Sequence, residues 1–95
     1  MFKIKHPFCD KFLSFKYDTK YYAKSRIVWY FNDEKTWSSL TFDNMDEAVK
    51  SGASAIEDTK ALISELYNSG DDWSEEIQRL KHFKNMVMKA KIIKV

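Results

Sequence analysis

The run His6-Pro7-Phe8-Cys9-Asp10 sets an imidazole, a thiol and a carboxylate almost side by side. Such groups can ligate a metal or build a nucleophile. A metal centre needs three or four ligands, however, and the only other histidine, His82, is distant in sequence. A Cys–His nucleophile also needs a third group to orient the base. A small, buried thiol is the plainer reading of Cys9. No glycine-rich phosphate loop can form, because Gly52 and Gly70 are the only glycines. Carboxylates are too abundant to single out a catalytic pair. The residues therefore predict a non-enzymatic chain, with no metal and no cofactor.

Binding chemistry is better represented. The stretch Tyr21–Asn32 ends in Ile27-Val28-Trp29-Tyr30-Phe31, the densest apolar and β-favouring run of the chain. β-branched and aromatic residues fit a pleated surface, and this run has no helical period. As a strand it would turn Ile27, Trp29 and Phe31 to the core and Tyr22, Lys24, Arg26 and Tyr30 to the other side. With the neighbouring elements, that outer face would present Lys16, Tyr22, Lys24, Arg26, Tyr30, Trp37, Lys89 and Lys91. Cations interleaved with rings can neutralise phosphates and stack on bases. The same residues can equally be cross-strand pairs with snorkelling lysines, or lie under a helix. Trp37, Trp73, Met86 and Met88 are further candidates for interface anchors, or for core.

Charge is segregated along the chain. Residues 1–42 carry eight Lys/Arg against four Asp/Glu, residues 43–76 two against ten, and residues 77–95 six against none. The net +2 thus conceals a basic start, an acidic middle and a basic end. Such asymmetry bears on partners rather than on fold. The acidic middle offers a negative surface to a basic partner, or consists of helix caps and solvated helix faces. A single cysteine excludes an internal disulfide and suits a reducing compartment. Residues 1–7 lack the apolar core of a signal peptide, and no apolar run reaches membrane-spanning length. A cytoplasmic setting without membrane contact is expected.

The elements that must position these residues follow from periodicity. Met1–Lys5 alternates and suits a short edge strand, with lysines guarding the edge. Lys11–Tyr17 reads as a strand with Leu13, Phe15 and Tyr17 on one face. A turn at Asn32–Lys35 precedes a third alternating run, Thr36–Phe42, which would complete an antiparallel meander. At Asp43 the period changes to about 3.6. Asn44 and Glu47 have capping-box spacing. Met45, Val49, Gly52, Ile56, Thr59, Ile63 and Leu66 then mark a helix to about Asn68, either unbroken or bent at Gly52. Ser69-Gly70 is a stop, and a second helix starts near Asp72 with Trp73, Ile77, Leu80 and Phe83 as its stripe. Residues 86–95 fit either a strand or a continued helix; the strand is the preferred reading. Gly52 and Thr59 could also form a seam between two copies of the chain.

The junction Thr41-Phe42-Asp43-Asn44-Met45-Asp46-Glu47-Ala48, with the closing Ala90-Lys91-Ile92-Ile93-Lys94-Val95, resembles that of small phage-encoded accessory proteins. The resemblance is one of length, style and element order. It implies a host-takeover or counter-defence protein that binds and blocks a host factor of a restriction, CRISPR, toxin, transcription or replication system. The combined expectation is a single α+β domain over residues 1–95. An antiparallel sheet of three to four strands would be packed on one face by two helices. Its core would include Leu13, Phe15, Ile27, Trp29, Phe31, Leu40, Phe42, Val49, Ile56, Ile63, Leu66, Ile77 and Leu80. Its partner would be a host protein, with nucleic acid as the alternative, and the chain itself a monomer or homodimer.

Overall fold

Alternating strands at the start of the chain and amphipathic helices behind them assemble into an α+β fold in the computed structural model, which describes residues 1–19, 21, 26–33 and 40–95. The elements are β1 (Phe2–Lys5), β2 (Lys11–Asp18), β3 (Arg26–Asp33), α1 (Met45–Tyr67), α2 (Ser74–Lys89) and β4 (Lys91–Lys94). The four strands form an antiparallel sheet in the order β3-β2-β1-β4. Among the described residues no helix is long and apolar enough to cross a membrane.

β1 is therefore an interior strand, not the expected edge. The edge beside it is β4, whose Lys91 and Lys94 bracket Ile92 and Ile93. β1 and β2 meet at Lys5↔Phe12 and then part. Residues 40–42 enter the gap. Leu40 N–H donates to the Leu13 carbonyl at 3.3 Å, and Phe42 exchanges two 2.8 Å hydrogen bonds with Phe2. The strand expected over Thr36–Phe42 is thus reduced, among described residues, to one bridge at Phe42; residues 36–39 lie outside the described residues. Of the turn expected at Asn32–Lys35, Asn32 and Asp33 instead pair with β2, and residues 34 and 35 lie outside the described residues.

α1 starts where expected. Asn44 is extended, and its side-chain oxygen accepts a 2.9 Å hydrogen bond from Glu47 N–H. The helix is unbroken, and its buried stripe matches the expected one at Thr59, Ile63 and Leu66 but not in the first half. Ala48, Ala55, Thr59, Leu62, Ile63 and Leu66 face inward, whereas Met45 and Val49 are exposed. Small residues let the first half of α1 lie close to the sheet. A Cβ on Gly52 would stand 3.7 Å from Ile4 Cδ1. Thr59 is buried and donates its hydroxyl to the Ala55 carbonyl at 2.7 Å. The Gly52–Thr59 seam is therefore spent on this fold, not on a second copy.

The core has two lobes. One gathers Ile4, Leu13, Phe42, Ala48, Ala55 and Val87, with Trp29, Phe31, Leu40 and Ile56 packed against it. The other gathers Tyr21, Val28, Leu62, Ile63, Leu66, Ile77 and Leu80, with Trp73 alongside. Three expected core residues fall outside both: Phe15, Ile27 and Val49 are exposed. The tail uses both of its patterns. Helical spacing holds through Lys89, burying Met86 and Val87, and strand spacing takes over at Lys91. The strand reading of 86–89 is corrected, because Val87 completes the inward stripe of α2.

Candidate functional site

Register decides which side chains share a face, since residues directly opposite on paired strands project the same way. Lys5↔Phe12, Ser14↔Tyr30, Lys16↔Val28 and Lys5↔Lys91 place Lys3, Lys5, Lys16, Tyr30 and Lys91 on the side away from Leu13. A lysine-rich sheet face does exist, but its rings are not laid open. Phe12 is buried, with Lys3 Nζ 5.3 Å from its ring centre. Tyr30 is half-buried under Lys16, whose Nζ stands 5.6 Å from that ring. Lys5 and Lys16 also pair with Asp10 at 3.6 Å and Asp18 at 3.7 Å.

The other expected site residues separate. Register sets Arg26 on the same face of β3 as Tyr30, but its charge is already engaged. It reaches α1 and bonds Glu65 through both terminal nitrogens, at 2.5 and 2.8 Å. Hydrogen bonding to that carboxylate, more than its charge, holds the guanidinium firmly in its protonated form. Lys89 closes α2 and Lys91 opens β4, so they are not alternate residues of one strand. Tyr22, Lys24 and Trp37 lie outside the described residues.

A second surface was not anticipated. β2 and β3 stay paired as far as Asp18↔Arg26, well past the point where β1 departs. The outer part of this hairpin, Ser14–Asp18 paired with Arg26–Tyr30, forms an arm. The core-side face of the arm carries Phe15, Tyr17, Ile27 and Trp29, with Phe15 opposite Trp29 and Tyr17 opposite Ile27. At its base Trp29 is held by α1, its indole N–H donating to Asp58 at 2.8 Å. Phe15 leans on Trp29, with ring centres 5.4 Å apart, and meets Tyr17 edge-on at 6.3 Å. Exposure rises towards the tip: Phe15 is 37%, Ile27 38% and Tyr17 70% exposed. Alternation had put Phe15 and Ile27 on the core face. The arm residue buried against the helices is instead Val28, on the opposite face, which packs with Leu62 and Leu80.

The His6–Asp10 turn also finds company that the sequence hid. His6 and Cys9 line a groove with Lys11, Tyr30, Arg79 and His82, over Phe31 and Phe83. The His6 ring meets Phe31 edge-on at 4.8 Å, and its Nδ1 accepts the Phe8 N–H at 3.1 Å. Among the described residues no three His, Cys, Asp or Glu side chains are placed to hold a metal ion. No protein-family model matches the chain, and neither curated proteins nor solved structures return a match.

Proposed function

We propose that this chain is a non-enzymatic protein-binding module that grips its partner with the β2–β3 arm. One observation carries this reading: Phe15, Tyr17 and Ile27 form an exposed apolar ladder on the face of the sheet that is otherwise covered. Contiguous exposed apolar surface marks interaction sites, and aromatic anchors dominate interface energies. The arm is flanked by α1, which belongs to the acidic segment 43–76. The partner surface that fits it is apolar at the centre and basic at the rim. Inhibition of a host factor by a phage-type accessory protein is the biological form of this proposal, and its support is the resemblance at the strand-to-helix junction.

The nucleic-acid alternative is weaker on this geometry. A single-strand platform needs open rings beside its cations, whereas Phe12 is buried and Lys16 lies over Tyr30.

The test is capture with the purified protein as bait, comparing wild type with a Phe15→Ser/Tyr17→Ser/Ile27→Ser variant and a Lys16→Ser/Lys91→Ser variant. A specific protein held by wild type and by the lysine variant, and lost from the arm variant, supports the proposal. Equal capture by the arm variant overturns it. A low-salt gel shift with single-stranded RNA or DNA that depends on Lys16 and Lys91 would move the function to the sheet face.

A further inference from the structure

The groove between the His6–Asp10 turn and α2 has a chemistry that the arm does not use. Its nitrogen-bearing side chains come from three separate places: His6 follows β1, Lys11 opens β2, and Arg79 and His82 lie one turn apart on α2. Tyr30 of β3 adds a phenol, and Phe31, Phe83 and Met86 add apolar wall. Among the described residues no carboxylate lines it. Arg79 is shared with Glu76, which sits a turn earlier and to which it is hydrogen-bonded. Lys11 and the two imidazoles are therefore the groups most able to meet a ligand. Lys11 and His82 are exposed and Arg79 is 55% exposed, so they are reached from solvent at no cost in unfolding.

We infer that this groove is a binding site for a phosphate group, with Lys11, His6 and His82 as donors and Arg79 at its margin. Lysine and histidine supply charge-assisted hydrogen bonds to phosphate oxygens, and an arginine fork at the edge matches the same geometry. The electrostatics agree with the placement. His6 titrates below the ordinary histidine value, first because it is partly buried, and then because His82, Lys11 and Lys5 all set positive charge against it. No anion opposes them among those causes. A dianion entering the groove would reverse the sign of that field. The aromatic wall extends the chemistry from inorganic phosphate to a phosphate ester on a flat ring, which could lie against Phe83.

The histidine ring protons report on this directly. The full chain is titrated with inorganic phosphate and separately with phenyl phosphate, each against sodium chloride at equal ionic strength, while the His6 and His82 resonances are followed by NMR. The expected result is a saturable shift of both rings with phosphate and none with chloride, together with a His6 titration midpoint that moves up. Lys11→Ala should weaken the binding roughly tenfold, as expected for loss of one charged hydrogen bond, and His82→Gln should weaken it too. Both positions are exposed, and unchanged amide spectra will show that the variants are folded. Tighter binding of phenyl phosphate assigns the site to an organic ester, and equal binding assigns it to the free ion; either supports the site. Shifts that follow ionic strength alone, or unaltered affinity in Lys11→Ala, overturn it.

Discussion

The Tyr21 hydroxyl donates a 2.5 Å hydrogen bond to Glu76 of α2, a residue 55 positions further along the chain. Its ring is 1% exposed, stands 5.7 Å from Trp73 and belongs to the lobe with Val28, Leu62 and Leu80. Arg79 closes the arrangement, with Nε 3.1 Å from Glu76 and Nη2 3.4 Å from the phenol oxygen. One side chain thus ties the segment after β2 to the second helix. It does so with an apolar body and a polar tip that is fully partnered.

The Tyr21–Glu76 contact predicts alkaline sensitivity. Burial first, then the hydrogen bond to Glu76 and its charge, push the Tyr21 pKa from 10.0 up to about 12. The folded state therefore holds this proton more tightly than the unfolded chain. The stabilisation is complete below the unfolded value of 10.0 and is lost as pH rises through about 12. A two-unit shift corresponds to at most about 2–3 kcal/mol. Tyr21→Phe should cost about 1–2 kcal/mol at neutral pH, because Glu76 loses one donor but keeps Arg79. It should also flatten the stability decline above about pH 10, the ordinary tyrosine range. Urea denaturation of both proteins across that range checks the prediction.

The two glycines should respond to alanine in opposite directions. At Gly52 the added Cβ meets Ile4 Cδ1 at an ordinary 3.7 Å and nothing else within 4 Å among the described residues. Gly52→Ala should stabilise the protein by about 0.5–1 kcal/mol through helix propensity. Gly70, two residues beyond the α1 cap at Asn68, has φ +84°, which disfavours any Cβ. Gly70→Ala should cost about 1–2 kcal/mol. Thermal melts of the two variants, read against wild type, decide both.

How much of this was legible can be argued from particular residues. Asn44 and Glu47 announced the start of α1, because a cap is a local event that needs no knowledge of the rest of the chain. The second half of the inward stripe of the same helix, Thr59, Ile63 and Leu66, was legible; the first half was misread by about one position, since Ala48 and Ala55 carry little hydrophobic weight, yet small side chains are what close approach to β1 requires. The pairing of β2 and β3 followed from alternation. Alternation names a face but not its cover, so Ile27 and Phe15 were placed in the core when they stand exposed. The tail carried two overlapping periods, and the chain obeys each in turn at Lys89 and Lys91. His6 and His82 become neighbours only through topology, which no local pattern encodes.

Removing either half of the Arg26–Glu65 pair should have unequal effects. The Arg26 side chain is 18% exposed and Glu65 47% exposed, and they are joined by two hydrogen bonds. Arg26 Nε is buried with no partner of its own. Glu65→Ala leaves a largely buried cation without its carboxylate and should cost about 1–3 kcal/mol. Arg26→Met removes the charge along with the unpartnered nitrogen and keeps the aliphatic packing. It should cost under about 1 kcal/mol, since replacing a buried ion by an apolar group of like volume is often neutral. A double-mutant cycle in urea separates the pair from its desolvation.

The β2–β3 arm should divide into a base that folds the protein and a tip that does not. Trp29 packs against the Leu13 lobe and donates its indole N–H to Asp58. Trp29→Ala loses that packing and strands part of the polar contact, and should cost roughly 2–4 kcal/mol. Tyr17 is 70% exposed and its ring meets Phe15 edge-on. Tyr17→Ser should therefore change stability by less than about 0.5 kcal/mol. If the tip is an anchor, the same substitution should abolish most partner capture, since truncating a central aromatic typically costs about 2 kcal/mol or more of binding. The diagnostic is the contrast between the two measurements on one variant. A Tyr17→Ser protein that melts like wild type but no longer retains its partner places the binding energy at the tip; one that retains it fully removes Tyr17 from the interface.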